Sequence, residues 1–277
     1  MSPMYDTILV PTDGSGVAGV AATQAIALAD RFGADVHALY VREDEADEGG
    51  EIATTAVAEQ AATADVAATT AVVDADGPVY RAILDYADDH GVDCIVMGTH
   101  GRTGLGRYIL GSVAERTLRE SPVPVVTVHE ETVVDEDLET ILVPTDGSDC
   151  SEAAAAHAVA LAEATGASLH VVHVVDLGVL PVDESGALIE ELQQAGQHAL
   201  ESVIDRAEDV SSVQASVLSG SPYRAIVDYA ESEDVDLVVM GTHGRTGFDR
   251  YLLGSVTERV VRLSDRPVLT LDDHERT

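Results

Sequence analysis

The chain has 277 residues, enough for two domains of ordinary size, each with its own core. Its 50 acidic residues against 15 basic ones leave a formal net charge of −35, and every basic residue is arginine. Phosphate backbones and anionic lipid repel such a chain, so neither nucleic acid nor a membrane is an expected partner, and no apolar run approaches the ~20 residues that span a bilayer.

In chain order, Tyr5 to Val10 ends in the apolar triplet Ile8-Leu9-Val10, a short strand bounded by Pro11. The turn Asp13-Gly14-Ser15 follows, with Ser15 placed to cap a helix over Val17 to Phe32 that Gly33 closes. Val36 to Val41 reads as a second strand, Glu43 to Gly50 as an acidic loop, Glu51 to Ala64 as a short helix and Val66 to Val73 as a third strand. Gly77-Pro78 opens a helix running to His90, since proline suits a first helical turn. Cys94 to Met97 is a fully apolar fourth strand, Ser112 starts a helix reaching about Arg119, and Val123 to Val128 is a fifth strand. Glu130 to Asp137 is acidic and reads as a linker. The second half repeats the order, with strands near Thr140 to Val143, Leu169 to Val174, Val213 to Leu218, Leu237 to Met240 and Val268 to Leu271. Strands alternating with helices predict parallel sheets covered on both faces, one over residues 1–133 and one over 139–277.

The halves share two strings. I-L-V-P-T-D-G-S runs from Ile8 to Ser15 and again from Ile141 to Ser148. V-M-G-T-H-G-R-T-G runs from Val96 to Gly104 and again from Val239 to Gly247. The first string is offset by 133 positions and the second by 143, so the second half carries about ten extra residues between them, located between Asp176 and Arg206. Both strings fall at strand carboxyl ends, where open α/β sheets bind ligands. Gly98, Gly101, Gly104 and Gly106 would let the backbone approach a ligand and take positive φ. Gly111-Ser112 begins a helix whose free amides and dipole favour an anion, so a phosphate chain needs no lysine. Asp13 suits a ribose diol or a metal ion, with an Asx-turn or cap role as the alternative for Asp13 and Asp146. His100 and His243 read as site residues or as exposed loop residues, Arg102 and Arg245 as phosphate contacts or surface ion pairs, and Met97 and Met240 as core or as adenine contacts. Neither repeat holds a Walker P-loop or a strand-turn G-x-G-x-x-G dinucleotide fingerprint. His170 and His173 lie three apart on a strand and face opposite sides, which argues against a metal there.

Gly98-x-x-Gly101, nine residues, then Gly111-Ser112 resembles the G-2x-G-9x-G-[ST] motif of ATP-binding universal stress proteins. Gly241-x-x-Gly244, nine residues, then Gly254-Ser255 resembles it again, and P-T-D-G-S after the first strand is similar to that family too. The resemblance covers essentially the whole chain as a tandem member. It implies two Rossmann-like domains, each a five-stranded parallel sheet in the order 3-2-1-4-5. It also implies pairing of such domains through their last strands, here an internal pseudo-dimer of Val123 to Val128 with Val268 to Leu271, with a further homodimer open. By the resemblance ATP, with Mg²⁺, places adenine near Pro11, Thr12, Val41 and Met97, ribose at Asp13, and phosphates at Gly98, His100, Gly101, Gly111, Ser112 and Val113. The matching residues of the second repeat are Pro144, Thr145, Asp146, Val174, Met240, Gly241, His243, Gly244, Gly254, Ser255 and Val256. Repeat one is shorter after its second strand, and Asp249 replaces Gly106, so unequal affinities are expected.

The expected function is an ATP-binding stress-response regulator with little or no hydrolysis. The alternatives are a slow ATPase and a module that binds another small molecule or a protein. Catalysis would need charge stabilisation and a positioned nucleophile, and the nearby cations are Arg102, Arg107, Arg245 and Arg250. Cys94 and Cys150 sit in different halves, which fits unpaired thiols in a reducing cytoplasm, and the opening M-S-P-M-Y-D lacks the basic and apolar parts of a secretory signal. The acid-rich, lysine-free composition resembles that of cytosolic proteins from salt-accumulating microbes.

Overall fold

The computed structural model describes residues 4–44, 48–101, 109–135, 137–176, 185–244 and 253–273, with the backbone alone over 185–190. The chain divides into two compact units, Met1–Asp137 and Leu138–Thr277. Among the described residues no helix is long and apolar enough to cross a membrane.

Unit one begins with β1 (Thr7–Pro11), α1 (Gly16–Phe32) and β2 (Asp35–Arg42). It continues with α2 (Gly49–Thr63), β3 (Ala68–Asp74), α3 (Val79–Asp89), β4 (Cys94–Gly98), α4 (Ser112–Glu120) and β5 (Val125–Val128). The strand order is β3-β2-β1-β4-β5, and the paired strands are parallel. β1 lies between β2 and β4, so the chain leaves it in one direction through α1 and α2 and in the other through α3 and α4. Right-handed crossovers in opposite directions put those two helix pairs on opposite faces, and α1 packs on α2 as α3 packs on α4. The middle strands are therefore buried on both faces and read as unbroken apolar runs: Ile8, Leu9 and Val10 are fully buried, as are Cys94, Ile95 and Val96. The edge strand β3 is mostly exposed.

Unit two follows the same plan with β6 (Thr140–Pro144), α5 (Asp149–Thr165), β7 (Ser168–Val175), α6 (Ser185–Ile204) and β8 (Val213–Ser219). It ends with α7 (Pro222–Ser232), β9 (Leu237–Gly241), α8 (Ser255–Leu263) and β10 (Val268–Leu271). Its order is β8-β7-β6-β9-β10, again with parallel pairs. The extra residues of this half lengthen the second helix: α6 has 20 residues where α2 has 15.

Several boundaries differ from the sequence expectation for local reasons. β3 begins at Ala68 rather than Val66, because the Val66 amide bonds back to Ala61 O at the end of α2. β5 begins at Val125 rather than Val123, whose amide is taken by Ser121 Oγ. Pro78 is the residue before α3 rather than within its first turn. Thr132, within the expected linker, and His129, just before it, are buried and joined by the bond from His129 N to Thr132 Oγ1.

Candidate functional site

The register of β1 on β4 pairs Ile8 with Cys94 and Leu9 with Ile95, so both strands end at one level. Just beyond those ends, Thr12 N donates to Leu39 O and Thr99 N donates to Val128 O, which extends the ladders by one residue. The chain then turns at Asp13-Gly14-Ser15. Asp13 Oδ1 accepts from Ser15 N at 3.0 Å, and Gly14 takes φ +76°, the left-handed region that favours glycine. Ser15 caps α1 by accepting from Ala18 N. After β4 the glycine segment leaves and returns over one hydrogen bond, from Gly111 N to Thr99 O at 2.7 Å. A methyl group at Gly111 would sit 3.3 Å from Thr99 O and from His100 Cα, so a larger residue there would have to push that backbone aside by a few tenths of an ångström.

These pieces enclose a cavity of ≈ 280 Å³ in unit one. Pro11, Thr12, Asp13, Val41, Met97, Gly98, His100, Gly101, Gly111, Ser112 and Val113, the expected site residues of this half, all line it. In unit two a cavity of ≈ 560 Å³ is lined by Pro144, Thr145, Asp146, Val174, Met240, Gly241, His243, Gly244, Gly254, Ser255 and Val256, again the full expected set. Its framework repeats the first: Asp146 Oδ1 accepts from Ser148 N at 3.0 Å and Ser148 Oγ at 2.6 Å, and Gly254 N donates to Thr242 O at 2.7 Å. Both cavities lie near or within the range usual for small-molecule sites, about 300–1,000 Å³.

Each cavity has an apolar wall and an anion-seeking end. The apolar wall uses residues that sequence reasoning missed, chiefly Tyr40, Val79 and Ile83 in unit one and Pro222 and Ile226 in unit two. They come from the second strand of unit one and the first two turns of α3 and α7, and the amphipathic pattern of those helices was the available signal. The other end is the start of α4 or α8. The first helical bonds run from Glu115 N to Gly111 O and from Glu258 N to Gly254 O, so the amides of Ser112, Val113 and Ala114, and of Ser255, Val256 and Thr257, precede the ladder and line the cavities. Such amides with the helix dipole hold an anion without a side-chain cation. Among the described lining residues there is no arginine. Arg102, Gly104, Gly106 and Arg107 of the first loop, and Arg245, Gly247, Asp249 and Arg250 of the second, lie outside the described residues.

The motif glycines work differently from the expectation. Gly98 and Gly101 do not take positive φ. They are small because protein atoms crowd them: a methyl group at Gly98 would collide with Val17, and one at Gly101 would lie 2.6 Å from Asp13 Oδ2. Gly241 stands likewise against Cys150, and Gly244 against the Asp146 carboxylate. The glycines therefore seat the aspartate against the loop backbone. The Asx-turn reading of Asp13 and Asp146 holds, and it leaves the second oxygen outside the turn: one carboxylate oxygen accepts from the serine amide while the other lies on the cavity-lining glycine.

The histidines divide. His100 and His243 line the cavities, each with Nδ1 beside the preceding threonine hydroxyl, at 3.3 and 3.2 Å. His170 and His173 go to different partners, Tyr229 and Thr145 O, so they do not converge. Cys94 and Cys150 are both free thiols, and burial raises the pKa of each.

Comparison with known proteins gives one answer. The Universal stress protein family matches residues 4–129 and again residues 138–271. A universal stress protein of Methanocaldococcus jannaschii is 43% identical over 136 residues, which is 47% of this chain and 80% of that protein. One from Mycolicibacterium smegmatis is 33% identical over 199 residues, 70% of this chain and 65% of that protein. The crystal structure of a universal stress protein from Archaeoglobus fulgidus has the same fold, with a TM-score of 0.71 at 23% identity, covering 98% of this chain and 97% of that one. The doubled family match, on two units that each set a turn aspartate and a glycine segment around a cavity at the strand ends, shows that the chain is a tandem member of the universal stress protein family.

Proposed function

We propose that each unit binds ATP, with Mg²⁺, and that the protein is a nucleotide-responsive regulator of the stress-response type with little or no hydrolysis. The observation that carries this reading is the convergence, twice in one chain, of a turn aspartate, a G-x-x-G corner and the start of a helix on one cavity. Adenine would pack on the apolar wall at Val41 and Met97, or at Val174 and Met240. Asp13 and Asp146 would meet the ribose, and their carboxylate chemistry also suits Mg²⁺. The phosphates would lie on the first-turn amides of α4 and α8. The tandem repeats, as domains 1–133 and 139–277, fit an internal pseudo-dimer with one site apiece. The larger second cavity supports unequal affinities.

Mass spectrometry of nucleotide released on denaturation, followed by calorimetry with Mg-ATP, tests this directly. The expected result is saturable binding that Gly101→Val with Gly244→Val abolishes while circular dichroism stays unchanged. Val at either position pushes the aspartate off its seat without touching the sheet. Unchanged affinity in that double variant would make the loops structural only. Turnover above ~1 per second, abolished by Asp13→Ala with Asp146→Ala, would instead favour an enzyme.

A further inference from the structure

The two units differ at one chemically pointed place. Cys150 sits in the first turn of α5, His243 just after β9 and Asp272 just after β10. β9 lies between β6 and β10 in the sheet of unit two, so the parallel strands deliver all three residues to one carboxyl edge. Cys Sγ, His Nδ1 and Asp Oδ1 come together there. His243 Nδ1 is 3.6 Å from Asp272 Oδ1, Cys150 Sγ is 3.9 Å from the same oxygen, and one ligand atom from each residue falls within 4.8 Å of the others. Leu271 O is 3.3 Å from the sulfur. In unit one the corresponding residues are Val17, His100 and His129, so the thiol is missing, and His129 Nδ1 instead accepts from Glu131 N.

We propose that Cys150, His243 and Asp272 form a zinc-class metal site, present in the second repeat and not in the first. Three ligands of a tetrahedral zinc stand about 3.4–3.6 Å apart; the two separations to Asp272 Oδ1 are within a few tenths of an ångström of that, and the Cys150–His243 pair, within 4.8 Å, would have to close by up to about 1 Å. The set is mixed in the way zinc favours, with one thiolate, one imidazole and one carboxylate, and a fourth position left for water or a further oxygen. Cys150 is 1% exposed, and the side chains of His243 and Asp272 are 15% and 7% exposed, so the centre is shielded from bulk water, while His243 also lines the cavity of unit two. Binding would displace the thiol proton to solvent, and the thiolate and carboxylate would then balance a divalent charge in a buried place. The thiolate also supplies selectivity. The chain has 50 acidic residues, and hard cations drawn to carboxylates would not compete for sulfur. This inference does not depend on nucleotide binding.

The test is cobalt(II) titration of the chelator-treated full chain, followed by zinc competition. The expected result is one equivalent per chain with a thiolate-to-cobalt charge-transfer band that zinc abolishes. Cys150→Val, which installs the residue of the first repeat, should remove the band while circular dichroism is unchanged. Asp272→Asn should weaken binding about tenfold or more. Cys94→Val should leave the band intact; if that variant does not fold, the Cys150→Val comparison alone decides. Absence of the band in the wild type, or its survival in Cys150→Val, would overturn the proposal and leave Cys150 as a core thiol donating to Leu271 O. Binding without a sulfur band would assign the metal to surface carboxylates and overturn it as well.

Discussion

A single methyl group separates the two arrangements open to the Asp13 carboxylate. With glycine at 101 the side chain lies against the loop; with any larger residue it must rotate away, because the added carbon would stand 2.6 Å from Oδ2. Asp13 and Gly101 are each visible in the sequence as motif members, but their contact is not, because it spans two strand ends and depends on β1 lying beside β4. Local geometry was legible, as at Ser15 and Gly33; tertiary seating was not. A second residue-scale consequence concerns His157 in α5. Burial lowers its pKa from 6.5 to about 4. The folded protein therefore holds His157 neutral where the unfolded chain would protonate it. That contribution is complete above pH 6.5 and is lost as pH falls towards 4, because the unfolded state binds more protons over that interval. The expected loss is of order 1–3 kcal/mol. His157→Gln, which installs the residue that Gln24 provides in the first repeat, should flatten the dependence. Denaturant midpoints at pH 7 and pH 4.5 measure it, and equal slopes in wild type and variant would refute the assignment.

The helices opening after the first strand of each repeat carry the same cap but not the same wiring. Ser15 accepts from Ala18 N, and Ser148 accepts from Ser151 N. Ser148 Oγ also donates to Asp146 Oδ1 at 2.6 Å. Removing either hydroxyl exposes one first-turn amide and should cost about 1 kcal/mol. Ser148→Ala should cost more than Ser15→Ala, because it also strips a donor from a carboxylate of the second cavity. Guanidinium unfolding of each variant checks the order, and a larger loss in Ser15→Ala would show that the Ser148–Asp146 bond contributes nothing net. At this scale most of the fold was readable. Apolar runs such as Ile8-Leu9-Val10 and Cys94 to Met97 mark strands covered on both faces, and in the structure every one of those residues is buried. The errors fell where an apolar residue spends its amide locally, as Val66 does on Ala61 O and Val123 on Ser121 Oγ. Hydropathy does not report where an amide is used.

Across the whole molecule the dominant fact is a net charge of −35 joined to two sites proposed for an anion. A conventional phosphate site adds lysine to overcome repulsion, and salt weakens it by screening that attraction. Here the described cavity residues offer amides and a helix terminus in place of basic side chains, while the protein's long-range field opposes the ligand. The two contributions differ in range. Contacts to amides act within hydrogen-bond distance and are little affected by ions. Repulsion from dispersed surface carboxylates acts over the Debye length, which falls from about 10 Å at 0.1 M salt to about 3 Å at 1 M. Raising KCl over that interval should therefore hold or tighten the Kd for Mg-ATP, and should also raise the denaturation midpoint, since the same screening relieves self-repulsion in the compact state. Calorimetry across the salt series, with KCl replaced by an equal osmolarity of a neutral osmolyte as control, separates screening from general solute effects. A tenfold rise in Kd between 0.1 and 1 M would mean that side-chain cations dominate phosphate binding. The arginines at 102, 107, 245 and 250 would then be the residues to mutate first.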